Sequence, residues 1–138
     1  MGTVNVRWIG GKQFVGIDST SHSVVLATAD ENVGVKPSDL LVMAVASCTA
    51  VDVVEILRKK RMKLDRLEVS ASAEQDADPP WTFRKIHVVY RLSGERLDPA
   101  AVERAIHLAE EKYCSVAATI RPTVEVTWEY EIASPVEE

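Results

Sequence analysis

The chain has 138 residues, of which 46% are hydrophobic and 27% are charged, and this predicts one soluble domain with a sizeable core. A net charge of −5 argues against a nucleic-acid-binding surface, and the one basic cluster, residues 58–63, is typical of a solvated helix end. With no signal-peptide pattern, and an apolar run at 40–51 too short to span a bilayer, we expect a cytoplasmic protein without nucleic-acid or membrane partners.

The first thirty residues read as a meander of strands. Apolar and polar residues alternate over 4–9, and the GGK sequence at 10–12 favours a turn. Two more short strands are predicted over 13–17 and 22–28. We therefore expect residues 1–30 to form a small antiparallel sheet.

A long helix follows. Pro37 suits the first helical position, Ser38 and Asp39 suit the first turn, and the helix is predicted to run to about Met62. Its first half, 40–51, is apolar or small on every side, which predicts burial all round. Because one small sheet cannot cover such a helix, we expect a partner sheet or a partner subunit.

The rest of the chain predicts two strands, a second helix, a last strand and a tail. The intervals are 65–74 and 81–92 for the strands, a loop at 93–99, a helix starting at Pro99, a strand at 122–132 and a flexible tail at 133–138. The order is βββαββαβ with antiparallel strands. This predicts a single α+β domain over residues 1–138.

The chain has two cysteines, Cys48 inside the first helix and Cys114 near the end of the second. A free cysteine often packs as a small hydrophobic residue, so Cys48 could be core filler or a thiol held out of bulk water for chemistry. No CxxC pair or Cys/His spacing predicts a metal site, and no cofactor is expected. A structural disulfide is unusual in a reducing cytosol, so a meeting of the two cysteines would indicate a transient redox bond.

Two segments resemble the OsmC/Ohr family, named for an osmotically inducible protein and for organic hydroperoxide resistance. The sequence KPSDLLVMAVASCTAVDVVEILRKKR is similar to the central helix of the family, with a proline at the start and a cysteine about ten residues in. The sequence AEEKYCSVAATI resembles the family's resolving-cysteine segment. The CTAVD pattern resembles a divergent, less characterised OsmC-like branch.

The resemblance implies an intertwined homodimer whose antiparallel sheets wrap around central helices, with active sites at the interface. It also implies a peroxidase that acts on small apolar hydroperoxides. On this reading Cys48 becomes a sulfenic acid, Cys114 condenses with it to a disulfide, and an external dithiol reductant restores the thiols.

The family's peroxidases carry an arginine after the first strand and a glutamate after the helix-start proline. Here Lys12 falls near the arginine position, and Asp39 lies one place beyond the glutamate position. Lysine cannot form the two-pronged contact that arginine makes with a carboxylate. In one straight helix Asp39 and Cys48 would lie about 13 Å apart on opposite sides. Asp39 could be no more than a helix-start charge, but if it acts on a Cys48, that cysteine should belong to the other subunit.

Two functions remain open from the sequence. The cysteine pair favours a hydroperoxide-reducing enzyme in oxidative-stress defence. Lysine at position 12 and Asp52, a carboxylate one turn beyond Cys48, favour a dimer that binds a small apolar ligand or senses redox state without turnover.

Overall fold

The computed structural model describes residues 2–133 and separates into two compact units, Met1–Leu41 and Val42–Glu138. Of the predicted tail, all but Ala133 lies outside the described residues. The assignment of residues 1–138 to one domain stays a prediction.

The N-terminal unit contains a three-stranded antiparallel sheet in the order β1-β2-β3, as the alternation predicted. Gly10 and Gly11 form the β1–β2 turn with φ of 115° and 53°, values that glycine adopts readily. A single 3₁₀ turn, Ala29–Glu31, follows the sheet. The three strands are β1 (Asn5–Gly10), β2 (Gln13–Ile17) and β3 (Ser23–Ala27).

Helix α1 (Pro37–Lys59) begins at the predicted proline and ends three residues earlier than predicted. Its buried residues form one line at four-residue spacing: Val45, Thr49, Val53 and Leu57. The prediction of burial all round is wrong for the single chain, because Met43 is 50% exposed and Val51 is 68% exposed. By length and composition α1 could cross a membrane, a property that it shares with core helices of soluble proteins.

The C-terminal unit contains a second sheet in the order β4-β5-β6, formed by β4 (Lys63–Gln75), β5 (Phe83–Glu95) and β6 (Glu125–Ile132). Strands β4 and β5 are antiparallel, but β6 runs parallel to β5. The predicted antiparallel direction of the last strand is therefore wrong. The long helical connection between β5 and β6 returns the chain to the same end of the sheet, which is what parallel pairing requires. Strand β5 also extends into the predicted loop 93–99, as far as Glu95.

The connection between β5 and β6 consists of α2 (Pro99–Leu108), a π-helical turn (Ala109–Tyr113) and α3 (Ser115–Ile120). Alternate residues of β5 pack with this connection and with the buried line of α1. Each of the four β5 side chains in the core is at most 1% exposed: Ile86, Val88, Tyr90 and Leu92. The π turn interrupts the α-helical spacing, and Tyr113 at its end is 53% exposed.

Candidate thiol site

Cys48 lies in the middle of α1, directly before Thr49 of the buried line. Its side chain is partly exposed and forms no disulfide. Asp52 follows one helical turn later and is also partly exposed. Cys48 thus lies between the buried face of α1 and its solvent-exposed face, where a small molecule can approach it.

Cys114 lies between the π turn and α3 and is 3% exposed. Its backbone is extended, with φ −80° and ψ 108°, and it caps α3. The backbone N–H of Ala117 donates to the Cys114 Sγ at 3.3 Å. The cap therefore fixes where the buried sulfur lies.

The two sequence-predicted cysteines lie near each other in the C-terminal unit, since Cys48 is close enough to help raise the pKa of the Cys114 thiol. Burial raises the pKa of Cys114 to about 11, and this effect outweighs the Ala117 N–H, which favours the thiolate. Cys114 is therefore a protonated thiol at neutral pH, next to a second thiol that is more accessible.

A groove of about 450 Å³ lies in the same unit, and Asp52, one helical turn beyond Cys48, is part of its lining. Its apolar lining comes from Ile56, Leu108 and Tyr113, and Tyr113 directly precedes Cys114. Charged side chains of α1 and of the residue that follows it form the rest of the lining: Asp52, Glu55, Lys59 and Lys60. The groove has room for a small molecule with an apolar part.

Lys12 and Asp39, the two predicted assisting charges, belong to the N-terminal unit. The Lys12 ammonium pairs with Asp30 at 2.6 Å, and the pair is exposed. Its hydrogen bond with Lys12 lowers the pKa of Asp30 to about 2. Asp39 is an exposed residue in the first turn of α1. Within residues 2–133, Lys12 is therefore paired with Asp30 and not with Asp39.

The sequence did not reveal a set of hydrogen-bonded polar side chains in the core. The Tyr90 hydroxyl hydrogen-bonds to Thr49 Oγ1 at 2.6 Å and to Glu110 Oε1. Burial raises the pKa of Glu110, against the hydrogen bond with Tyr90 and the charge of Arg121. Nothing in the AEEKY sequence distinguished Glu110 from a surface residue.

Among residues 2–133, no group of three or more His, Cys, Asp or Glu side chains is placed to hold a metal ion.

Comparison with known proteins agrees with the fold. Protein YhfA of Escherichia coli (strain K12) is 33% identical over 129 residues, covering 94% of this chain and 96% of YhfA. A hypothetical protein from Aquifex aeolicus VF5 has a crystal structure with a TM-score of 0.87 and 26% identity, covering 100% of this chain and 98% of that one.

The crystal structure of the organic hydroperoxide resistance protein OhrB of Bacillus subtilis has a TM-score of 0.62 at 20% identity, covering 95% of this chain and 98% of OhrB, and this likeness shows the shared fold. The family model for OsmC-like proteins, which are small soluble proteins, matches residues 28–129. The resemblance inferred from the cysteine segments is thus confirmed, and the chain belongs to the OsmC-like protein family.

Proposed function

We propose that this protein is a thiol-dependent peroxidase that reduces organic hydroperoxides in the cytoplasm, as part of oxidative-stress defence. The observation that carries the proposal is the proximity of two free cysteines from distant parts of the chain, close enough that Cys48 helps raise the pKa of Cys114. The OsmC-like family and the fold shared with an organic hydroperoxide resistance protein support it.

The two cysteines have different roles because their surroundings differ. Cys48 is partly exposed, so a peroxide can reach it, whereas Cys114 is buried and protonated. The Cys48 thiolate attacks the outer peroxide oxygen, the O–O bond breaks, and the alcohol leaves with a proton. The product is a Cys48 sulfenic acid.

Cys114 resolves this intermediate. Its sulfur attacks the Cys48 sulfur, the S–O bond breaks, and water leaves with the Cys114 proton. A dithiol reductant then donates two electrons and two protons by thiol–disulfide exchange and returns both cysteines to thiols. No cofactor enters this cycle.

The groove beside Asp52 and Tyr113 supports an apolar substrate. Ile56, Leu108 and Tyr113 give it an apolar surface, which favours a hydroperoxide with a hydrocarbon part over hydrogen peroxide. Lys12 and Asp39 are the assisting charges of this proposal, by their positions in the family pattern. The Lys12–Asp30 pair reduces the charge that Lys12 can offer.

The homodimer is part of the proposal. The open side of α1 exposes Met43, Val51 and Val54. In the N-terminal unit, β1 exposes Val6 and Trp8, and a largely apolar groove of about 310 Å³ lies on that sheet. Monomeric soluble proteins rarely leave such apolar surface in water, and a second copy of the chain is the occupant that the family implies.

A second candidate function is an OsmC-fold dimer that binds a small apolar ligand or senses redox state without turnover. The raised pKa of Cys114 and the pairing of Lys12 with Asp30 favour it. Under this alternative the groove binds the same apolar molecules, but the thiols do not consume hydroperoxide.

Steady-state consumption of cumene hydroperoxide with excess dithiothreitol tests the proposal. The wild type and Ser47→Ala, a matched control at the exposed neighbour of Cys48, should turn over, while Cys48→Ser should not. Turnover by Cys48→Ser at the wild-type rate would overturn the proposal. No turnover by the wild type, with an apolar dye still bound, would favour the second candidate.

A further inference from the structure

Three buried polar side chains connect the segments that carry the two cysteines. Tyr90, Thr49 and Glu110 are at most 2% exposed. The Tyr90 hydroxyl, on β5, lies 2.6 Å from Thr49 Oγ1 and hydrogen-bonds to Glu110 Oε1. We call these three side chains the tyrosine bridge.

Each end of the tyrosine bridge is next to a cysteine in the chain. Thr49 directly follows Cys48 on α1, and Glu110 lies in the π turn that ends at Cys114. The Thr49 end is anchored, because its hydroxyl donates to the Val45 carbonyl at 3.1 Å. At the other end, Glu110 Oε2 has no hydrogen-bond partner within residues 2–133, but it lies 3.5 Å from an Arg121 nitrogen as an ion pair.

A core can be packed with apolar side chains alone, so three hydrogen-bonded polar side chains in it require an explanation. Buried polar groups are costly when unpaired, so the three side chains hold one another at fixed separations. Apolar packing alone allows neighbouring elements to shift more freely. The tyrosine bridge thus fixes the position of α1 and of the π turn relative to β5, close to Cys48 and Cys114.

We propose that Tyr90, with Thr49 and Glu110, is a positioning residue for disulfide closure, holding Cys48 and Cys114 at the separation from which their sulfurs can join. The inference rests on the proposed thiol chemistry and adds the residues that control it. Two reacting groups held in productive geometry have a high effective concentration, and loss of that geometry lowers it.

The equilibrium with dithiothreitol measures this effective concentration directly. The protein disulfide accepts two electrons and two protons from the dithiol, so the S–S bond breaks and a ring disulfide forms in the reagent. The measured quantity is the constant for this exchange at neutral pH, from thiol labelling across a series of oxidised-to-reduced dithiothreitol ratios. No hydroperoxide is needed, so the measurement is independent of peroxidase turnover.

Thr49→Val removes the hydroxyl and keeps the branched shape, whereas Thr49→Ser keeps the hydroxyl. We expect Thr49→Val and Tyr90→Phe each to weaken the protein disulfide by about tenfold against dithiothreitol, and Thr49→Ser to stay within about twofold of wild type. Val88→Ala is the matched control: it removes core volume from the same face of β5 without touching the tyrosine bridge, and should also stay within about twofold.

Equal exchange constants in the wild type, Thr49→Val and Tyr90→Phe would overturn the inference. An equal loss in Val88→Ala would overturn it too, because general destabilisation would then account for the effect. If Tyr90→Phe does not fold, the comparison of Thr49→Val with Thr49→Ser decides. Failure of the wild type to form the disulfide at any ratio would overturn the proposed function and this inference with it. A normal wild-type disulfide with unaffected variants would overturn the inference alone.

Discussion

The Cys48 side chain, in the middle of α1, lies beside the buried thiol of Cys114, which caps α3. The two cysteines differ in their exposure to solvent. Cys48 is on the partly open side of its helix, and Cys114 is 3% exposed with an N–H donor from Ala117. This asymmetry is the basis for assigning attack on the peroxide to one cysteine and disulfide closure to the other.

Cys114→Ser should stop the cycle at the sulfenic acid, since no second thiol remains to condense with it. One equivalent of cumene hydroperoxide should convert this variant to a species that a dimedone probe labels at Cys48. Cys48→Ser should take up no label. Equal labelling of both variants, read by mass spectrometry, would contradict the assignment of roles.

Cys114 should make folding less stable in alkali. Its folded pKa of about 11 lies above the ordinary value of 9.0, so the contribution is complete below about pH 9 and is lost as the pH rises toward 11. Between about pH 8 and about pH 10 the wild type should lose roughly 1 kcal/mol of unfolding free energy relative to Cys114→Ala. Urea unfolding of the reduced proteins measures this, and parallel pH profiles would count against the buried thiol.

Glu110 should give a second pH dependence, in the acid to neutral range. Burial raises its pKa above 4.5, so its stabilising contribution is complete below about pH 4.5 and decreases as the pH rises through the folded pKa. Glu110→Gln keeps an oxygen for Tyr90 but cannot ionise. Relative to this variant, the wild type should lose stability as the pH rises toward neutrality.

Glu103→Gln is the matched control for that experiment, since Glu103 is an exposed carboxyl on α2 and does not contribute to the pKa shift of Glu110. It should follow the wild-type profile in urea unfolding. If the unfolding free energy of Glu110→Gln has the same pH dependence as that of the wild type, the buried carboxyl does not titrate as the structure implies.

Much of the fold follows from local patterns in the sequence. The alternation in 4–9 and 13–17 located the first two strands to within one residue, and the proline located the start of α1. The parallel direction of β6 could not be predicted, because strand direction depends on how the helical connection crosses the sheet. Val51 was predicted to be buried but is 68% exposed in the single chain, because hydrophobicity does not say whether the same chain or a partner covers that face of α1.

Val51→Asp should dissociate the proposed homodimer. Val51 is 68% exposed on α1, so a single chain tolerates the change, whereas a covering subunit would bury the new carboxylate at a cost of several kcal/mol. Lys60→Gln changes the net charge by the same amount at an exposed position and is the control. Sedimentation at micromolar concentration should give a monomer for Val51→Asp and a dimer for Lys60→Gln. A monomeric wild type would contradict the dimer itself.

Lys12→Gln should slow the oxidation of Cys48 by about threefold to tenfold, because it removes a cation that favours the thiolate. Asp39→Asn should slow it by a similar factor, because in this proposal Asp39 acts by orienting that cation and not by its own charge on the thiolate. Lys36→Gln, at an exposed lysine in the same unit, removes one positive charge and is the charge-matched control for Lys12→Gln. Stopped-flow measurement with cumene hydroperoxide gives the rates. If all three variants match the wild type, Lys12 is only the partner of Asp30, and Asp39 only a helix-start charge.

The candidate site was less predictable than the fold. Cys48 and Cys114 could be paired because each has a recognisable segment around it. Glu110 could not be found, because the π turn at Ala109–Tyr113 shifts the helical register and brings a carboxylate into the core. The partner of Lys12 was also not evident, since the Asp30 contact depends on the turn that follows β3.

The most direct test of the account is a count of free thiols before and after one equivalent of cumene hydroperoxide, in reduced protein without air at neutral pH. We predict that both thiols disappear within seconds, that peptide mapping shows a Cys48–Cys114 disulfide, and that a dithiol restores both. Two surviving thiols would contradict the account and make Cys48 a packing residue.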